Sequence, residues 1–300
     1  MKPPFAKPAL SHADQLARLI AHGMIVPDQA AALHALQHIS YYRLSAYWLP
    51  FEHPKGATGP RFLPGTSLDT VLALYEFDRK LRMLVTDAID RIEVAVRGSW
   101  AHVLALSGGP HAYLSPVLYQ NSEDYLDNLS NLIKEVRRSK DVFIKHYYAK
   151  YAEPAMPPVW MASEVMSFGS LSRWYKLLAQ PSDRQAIANP FGLDERVMVP
   201  FVHHLVVVRN TCAHHGRLWN RHFQIRPALP RRPSDLATSL EPGSPAQLYN
   251  TLCIIAFVLQ KVDLASTFAA DLKALIAQHP TGDVAAMGFP ANWLGRALWL

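Results

Sequence analysis

Apolar residues recur every three or four positions through most of this chain, the spacing that places them on one face of a helix. Leu16, Leu19 and Ile20 form such a stripe over residues 9–22, and Ala30, Leu33 and Leu36 form another over 27–38, with Gly23 and Pro27 separating two short helices. His38-Ile-Ser-Tyr-Tyr-Arg-Leu-Ser-Ala-Tyr-Trp-Leu-Pro-Phe51 follows, dense in aromatics. Core packing is the plainer reading of that segment and a base-stacking surface the alternative. Prolines and glycines over 52–66 predict a loop or a small hairpin.

The longest helical pattern runs from Ser67 to about Leu106 and is expected to form a central helix, with a kink allowed at Gly98, its one glycine. Gly108-Gly-Pro110 is its stop signal. Residues 122–150 read as a further helix carrying a basic cluster at Lys134, Arg137, Arg138, Lys140 and Lys145, for which a solvated face is the simpler account. Trp160–Tyr175 reads as two short helices divided at Gly169, and 194–215 as one long helix. A Pro-rich connector over 226–245 leads to a last apolar helix from Leu248 to Ile276. Phe289, Trp293 and Trp299 are expected to dock the tail. No internal repeat and no convincing strand emerges, so the fold class is all-α. The whole of 1–300 reads as one domain: an N-terminal helical and aromatic segment over 1–66, a helical core over 67–278, and a tail over 279–300.

Half of the 300 residues are hydrophobic, enough to bury a large core without disulfides or metals. Only 18% are charged, yet the balance is +6, which suggests a local anionic partner: RNA, DNA or acidic lipid headgroups. Cys212 and Cys253 have no paired metal spacing and fit a reducing compartment. The N-terminus lacks the apolar core of a signal peptide, and no apolar run approaches the roughly 20 residues of a membrane span. A cytoplasmic protein with no membrane attachment and no cofactor is expected.

The chemistry concentrates in Val206-Val-Val-Arg-Asn-Thr-Cys-Ala-His-His-Gly-Arg-Leu-Trp-Asn-Arg221, where an apolar helix gives way to a basic, aromatic turn. Cleaving RNA through its own 2′-hydroxyl requires a group to take the hydroxyl proton, one to steady the phosphorane and one to protonate the leaving 5′-oxygen. Histidine suits the proton transfers, and the arginine fork suits the phosphate. Asn210 and His214 are four apart and share a helix face, whereas Arg209 and His214 lie about 140° apart around the axis. Gly216 is the expected stop, placing His214 in the last turn. The bare spacing of Arg, four residues and His also occurs at Arg97–His102 and Arg217–His222, so spacing alone says little. The competing account makes Arg209 and Asn210 capping groups beside packed histidines. A metal site built from His203, His204, His214, His215 and Cys212 is a weaker third, since adjacent histidines point about 100° apart.

Several blocks in order, His38–Leu44, Leu74–Arg82, Arg91–Arg97, Trp160–Ser170 and Arg209–Arg221, resemble the Abi-like (abortive infection) family of bacterial phage-defence proteins, placed among the HEPN ribonucleases. The resemblance implies a HEPN-like helical bundle and a metal-independent endoribonuclease whose site forms where two motif copies meet. With one copy per chain, that means a homodimer. It maps the catalytic positions onto Arg209, Asn210 and His214, with His215 as a rival histidine. It also suggests RNA as substrate and as a regulatory or antitoxin partner. Glu93, Arg97 and Glu164 are candidates for supporting the site. Arg217, Trp219, Asn220 and Arg221 are candidates for holding RNA. A non-catalytic RNA-binding module is the alternative from a different class.

Overall fold

The computed structural model describes residues 3–54, 56 and 58–300. All regular structure among them is helical, in thirteen α-helices joined by short 3-10 turns. The chain packs as two compact units, one comprising the residues up to Leu81 with Leu275–Asp283, the other Arg82–Ala274 with Val284–Leu300.

In the first unit, α1 (His12–Ala21), α2 (Gln29–Ile39) and α3 (Tyr41–Trp48) are each started by a polar side chain that accepts from a free first-turn N–H. Ser11 accepts from Asp14, Asp28 from Ala31, and Ser40 from Arg43. Leu44, Tyr47 and Trp48 are buried, so the aromatic segment packs into the core, while Tyr42 and Leu49 are exposed. Over 52–66 the chain turns back on itself through a single antiparallel bridge between Glu52 and Phe62, closed by an Arg61–Glu52 ion pair at 2.6 Å. Lys55 and Ala57 lie outside the described residues.

The long central helix is present as α4 (Leu68–Gly108), 41 residues that remain helical through Gly98. Three expected boundaries are corrected. Residues 122–150 form two helices, α5 (Ser122–Arg138) and α6 (Val142–Lys150). Ser139 becomes extended between them because its hydroxyl bonds Asp141 at 2.5 Å and accepts from the Asp141 N–H, competing with the helix ladder. The break in 160–175 falls at Met166 and Ser167, not at Gly169: α7 (Val159–Val165) ends there, and Ser167 caps α8 (Phe168–Leu177). The last apolar stretch is α12 (Leu248–Val262) and α13 (Phe268–Gln278), parted after Asp263, which binds Arg91 and the Ala265 N–H.

Between these lie α9 (Pro181–Ala188), α10 (Glu195–Ala213) and, inside the connector, the six-residue α11 (Ser234–Ser239). The tail docks within the second unit as expected: Phe289, Trp293 and Trp299 are buried, and the Trp299 indole donates to the Tyr249 hydroxyl. Lys134, Arg137, Arg138, Lys140 and Lys145 are all exposed, a solvated basic face. No described helix is long and apolar enough to cross a membrane.

Candidate functional site

The motif helix α10 starts at Asp194, whose carboxylate accepts from the Arg196 N–H. Met198, Phe201, Val202, Leu205 and Val208 form its buried face against the body of the second unit, where α8 and α9 pack along it. His203, Asn210, Ala213 and His214 are exposed on the other side. His204 belongs to the core: it is 1% exposed, its Nδ1–H donates to the Ile225 carbonyl at 2.7 Å and the Thr251 hydroxyl donates to Nε2 at 2.8 Å. Burial, unbalanced by these contacts, depresses its pKa to about 4. With both nitrogens engaged it is not a metal ligand, and no metal-holding group of three His, Cys, Asp or Glu exists among the described residues.

α10 ends two residues earlier than the 194–215 span suggests. Ala213 is the last helical residue and His214 the cap. The turn that follows is a Schellman motif, with the His215 N–H bonded to the Cys212 carbonyl and the Gly216 N–H to that of Thr211. The left-handed residue is His215, at φ 56°, and not Gly216. Gly216 serves close approach instead: a Cβ there would lie 3.0 Å from Thr211 Cγ2 and 3.1 Å from the Thr211 oxygen.

Arg209, Asn210, Glu93 and Arg97 come together in one network. Arg209 Nη1 donates to Asn210 Oδ1 at 3.2 Å, and Arg209 Nη2 lies 3.7 Å from Glu93 Oε2. The other Glu93 oxygen accepts from Arg97 at 2.6 Å. Arg97, 7% exposed, also donates to the backbone carbonyls of Ser163 and Met166 at the end of α7. A buried cation is thus satisfied by one carboxylate and two carbonyls, as burial of charge requires. The pair on α4 is no surface ion pair. It is an internal post that reaches Arg209, whose side chain is 38% exposed.

The other candidates are distributed around this post. Glu164 lies in sequence between the two residues whose carbonyls accept from Arg97, yet it is exposed and lines a separate groove with Arg138, Ser139 and Asp141. Arg217 Nη2 donates to the Asn220 carbonyl and Arg221 Nη1 to the Arg217 carbonyl, both at 3.4 Å. Arg217 and Arg221 also stand over the rings of Trp219 and Phe223. Trp219 is 2% exposed, so its ring packs inside and offers no face to a base; Phe223 is buried likewise. The carbonyl anchors at Ser163 and Met166 escape sequence reasoning, because any residue type supplies a carbonyl.

These features define an all-α protein with a polar site at the close of one helix, its arginine held from behind by a buried ion pair. The sequence profile of the Abi-like protein family matches residues 34–220, which ends on Asn220 just past the motif. This chain belongs to the Abi-like family. No curated protein and no solved structure matches it.

Proposed function

We propose that the chain is a metal-independent endoribonuclease of abortive-infection phage defence, acting as a two-fold homodimer on RNA. The supporting observation is the network that presents Arg209 at the surface beside exposed Asn210, with exposed His214 one turn after Asn210 at the helix end. In this reading the 2′-oxygen attacks phosphorus while one imidazole takes its proton. The P–O5′ bond then breaks with a proton from the His214 of the second subunit, leaving a 2′,3′-cyclic phosphate and a 5′-hydroxyl. Arg209 steadies the phosphorane and Asn210 holds the guanidinium fork in place. Arg217 and Arg221 lie on the exit turn, where they would meet flanking phosphates. Half-exposed Val207 and exposed Ala213 flank Asn210 on α10 and would lie in the seam between copies.

One observation favours a non-catalytic RNA-binding module instead: the Arg209 fork is already engaged by Asn210 and Glu93, so phosphate must compete for it. Incubating the protein with total RNA in excess chelator, beside His214→Ala, separates the readings. Cyclic-phosphate ends with the native protein, lost in the variant while RNA binding survives, are expected for the nuclease. RNA that is bound but left intact by both proteins assigns the binding role.

A further inference from the structure

Asn121 caps α5, and Asp124, Asp127, Asn128 and Asn131 follow on the helix as a polar stripe beside the apolar face that Tyr125, Leu132 and Val136 bury; of the five polar residues only Asn128 is buried. The stripe faces Arg173 and Lys176, one turn apart on α8, across a cleft of about 580 Å³. Asn128 is the informative member. It is 5% exposed and its side-chain oxygen accepts from Arg173 Nε at 3.1 Å, leaving the amide nitrogen unengaged among the described residues in the wall of the cleft. Asp127 and Asn131 are exposed at the same wall with no partner among the described residues.

The cleft adjoins the motif helix. A Cβ at Gly169 would lie 3.7 Å from both Arg173 Nη1 and Val206 Cγ1, so the Arg173 head and α10 meet over that glycine. His203, one turn before Val206, feels both Arg173 and Lys176. From His203 to His214 is eleven residues of helix, about 16 Å, or at most about five nucleotides at the ~3.4 Å rise of a stacked strand.

We propose that this cleft, lined by Asp124, Asp127, Asn128, Asn131, Arg173 and Lys176, is a guanine subsite that sets where single-stranded RNA is cut; it rests on the endoribonuclease reading. Guanine is the base whose Watson–Crick edge sets two adjacent donors, N1–H and N2–H2, beside the acceptor O6, with N7 a further acceptor on its Hoogsteen edge. The cleft supplies the complement: carboxylates to accept at one wall, and an amide nitrogen, a guanidinium and an ammonium to donate. Adenine and uracil lack the paired donors. A site built only for phosphate would not set two carboxylates beside its cations. Single strands are the substrate form in which such edges are free to be read.

The test is to cleave a randomised single-stranded RNA pool with the full-length protein and map the new ends, for the native chain, Asp127→Ala and Asn131→Ala. Guanine enriched about tenfold at one fixed offset within five nucleotides of the cut, and flattened in both variants, is the expected result. Replacing that guanosine by inosine, which lacks the N2 amino group, should have the same effect as the variants. Cutting with no guanine bias, or a bias that both variants retain, overturns the subsite while leaving the nuclease standing. If the native protein cuts nothing, the nuclease reading fails, and the subsite is judged by fluorescence anisotropy of ten-nucleotide RNAs containing one guanosine or none. Tighter binding of the guanosine strand that Asp127→Ala abolishes upholds the subsite, and equal binding removes it.

Discussion

Replacing Glu93 by glutamine removes one negative charge and keeps the shape. In the native protein the carboxylate is divided, one oxygen 2.6 Å from Arg97 and the other 3.7 Å from Arg209. Unit charges 3.7 Å apart attract by roughly 4–5 kcal/mol at an effective dielectric near 20. Arg209 is more than a third exposed, so water and salt reduce its share to about 1 kcal/mol, the scale of exposed pairs. Arg97 is nearly buried and loses more: its charge-assisted bond weakens by about 1.5–3 kcal/mol, although both carbonyl partners and the glutamine oxygen remain. The expected outcome in urea unfolding is a loss of about 2 kcal/mol. In single-turnover RNA cleavage, freeing Arg209 from its post should lower kcat by about tenfold, the equivalent of ~1.4 kcal/mol. KM should fall as well, because no carboxylate then competes with phosphate. A folded Glu93→Gln protein with native kcat and KM would refute the positioning role, and so would a rate loss that only tracks the loss of folded protein.

Trp219→Ala should cost about 3–5 kcal/mol in unfolding free energy, the price of a core cavity, while RNA affinity per folded molecule stays unchanged. Gly216→Ala should destabilise by about 1 kcal/mol, since the added methyl meets Thr211 backbone, whereas His215→Gly, at the left-handed position, should be neutral or slightly stabilising in the same urea titration. His204 has a folded pKa near 4 against 6.5 unfolded, so protonation favours the unfolded chain. Its stabilisation is complete above pH 6.5 and is lost as pH falls through 4, by about 3 kcal/mol; His204→Gln should flatten that limb of the stability–pH profile.

The helical class, the long α4 and the motif on α10 were legible because each rests on many residues repeating one period. Element breaks were not, because single polar side chains decide them: the Ser139 hydroxyl, the Ser167 cap and the Asp263 carboxylate each outcompete a helix that the apolar pattern would have continued. Glu93 and Arg97 were visible as a pair four apart on one helix, but their burial and their reach to Arg209 depend on packing from distant sequence. Glycine misled at Gly216, since composition does not distinguish a residue needed for positive φ from one needed for close approach. Trp219 misled because a basic, aromatic run reads alike whether its rings face solvent or the core. The α5 stripe drew no notice in a segment marked by its basic cluster. It gains meaning only when Arg173 and Lys176 lie across from it.

The close of a helix is an awkward place to hold phosphate, because the unsatisfied carbonyls present negative potential there. In the proposed nuclease two features offset this. The Schellman turn ties up the Thr211 and Cys212 carbonyls, while the guanidiniums of Arg217 and Arg221 lie against the carbonyls of Asn220 and Arg217. The second is the charge arithmetic of the post. Arg97, Glu93 and Arg209 sum to one net positive charge. Because Arg97 sits at 2.6 Å and Arg209 at 3.7 Å, the carboxylate is spent mainly on the buried cation. The uncompensated charge therefore resides on Arg209, the only one of the three that solvent reaches well. Without Arg97, Glu93 would turn wholly to Arg209 and mask its guanidinium, so the buried arginine keeps the exposed one positive.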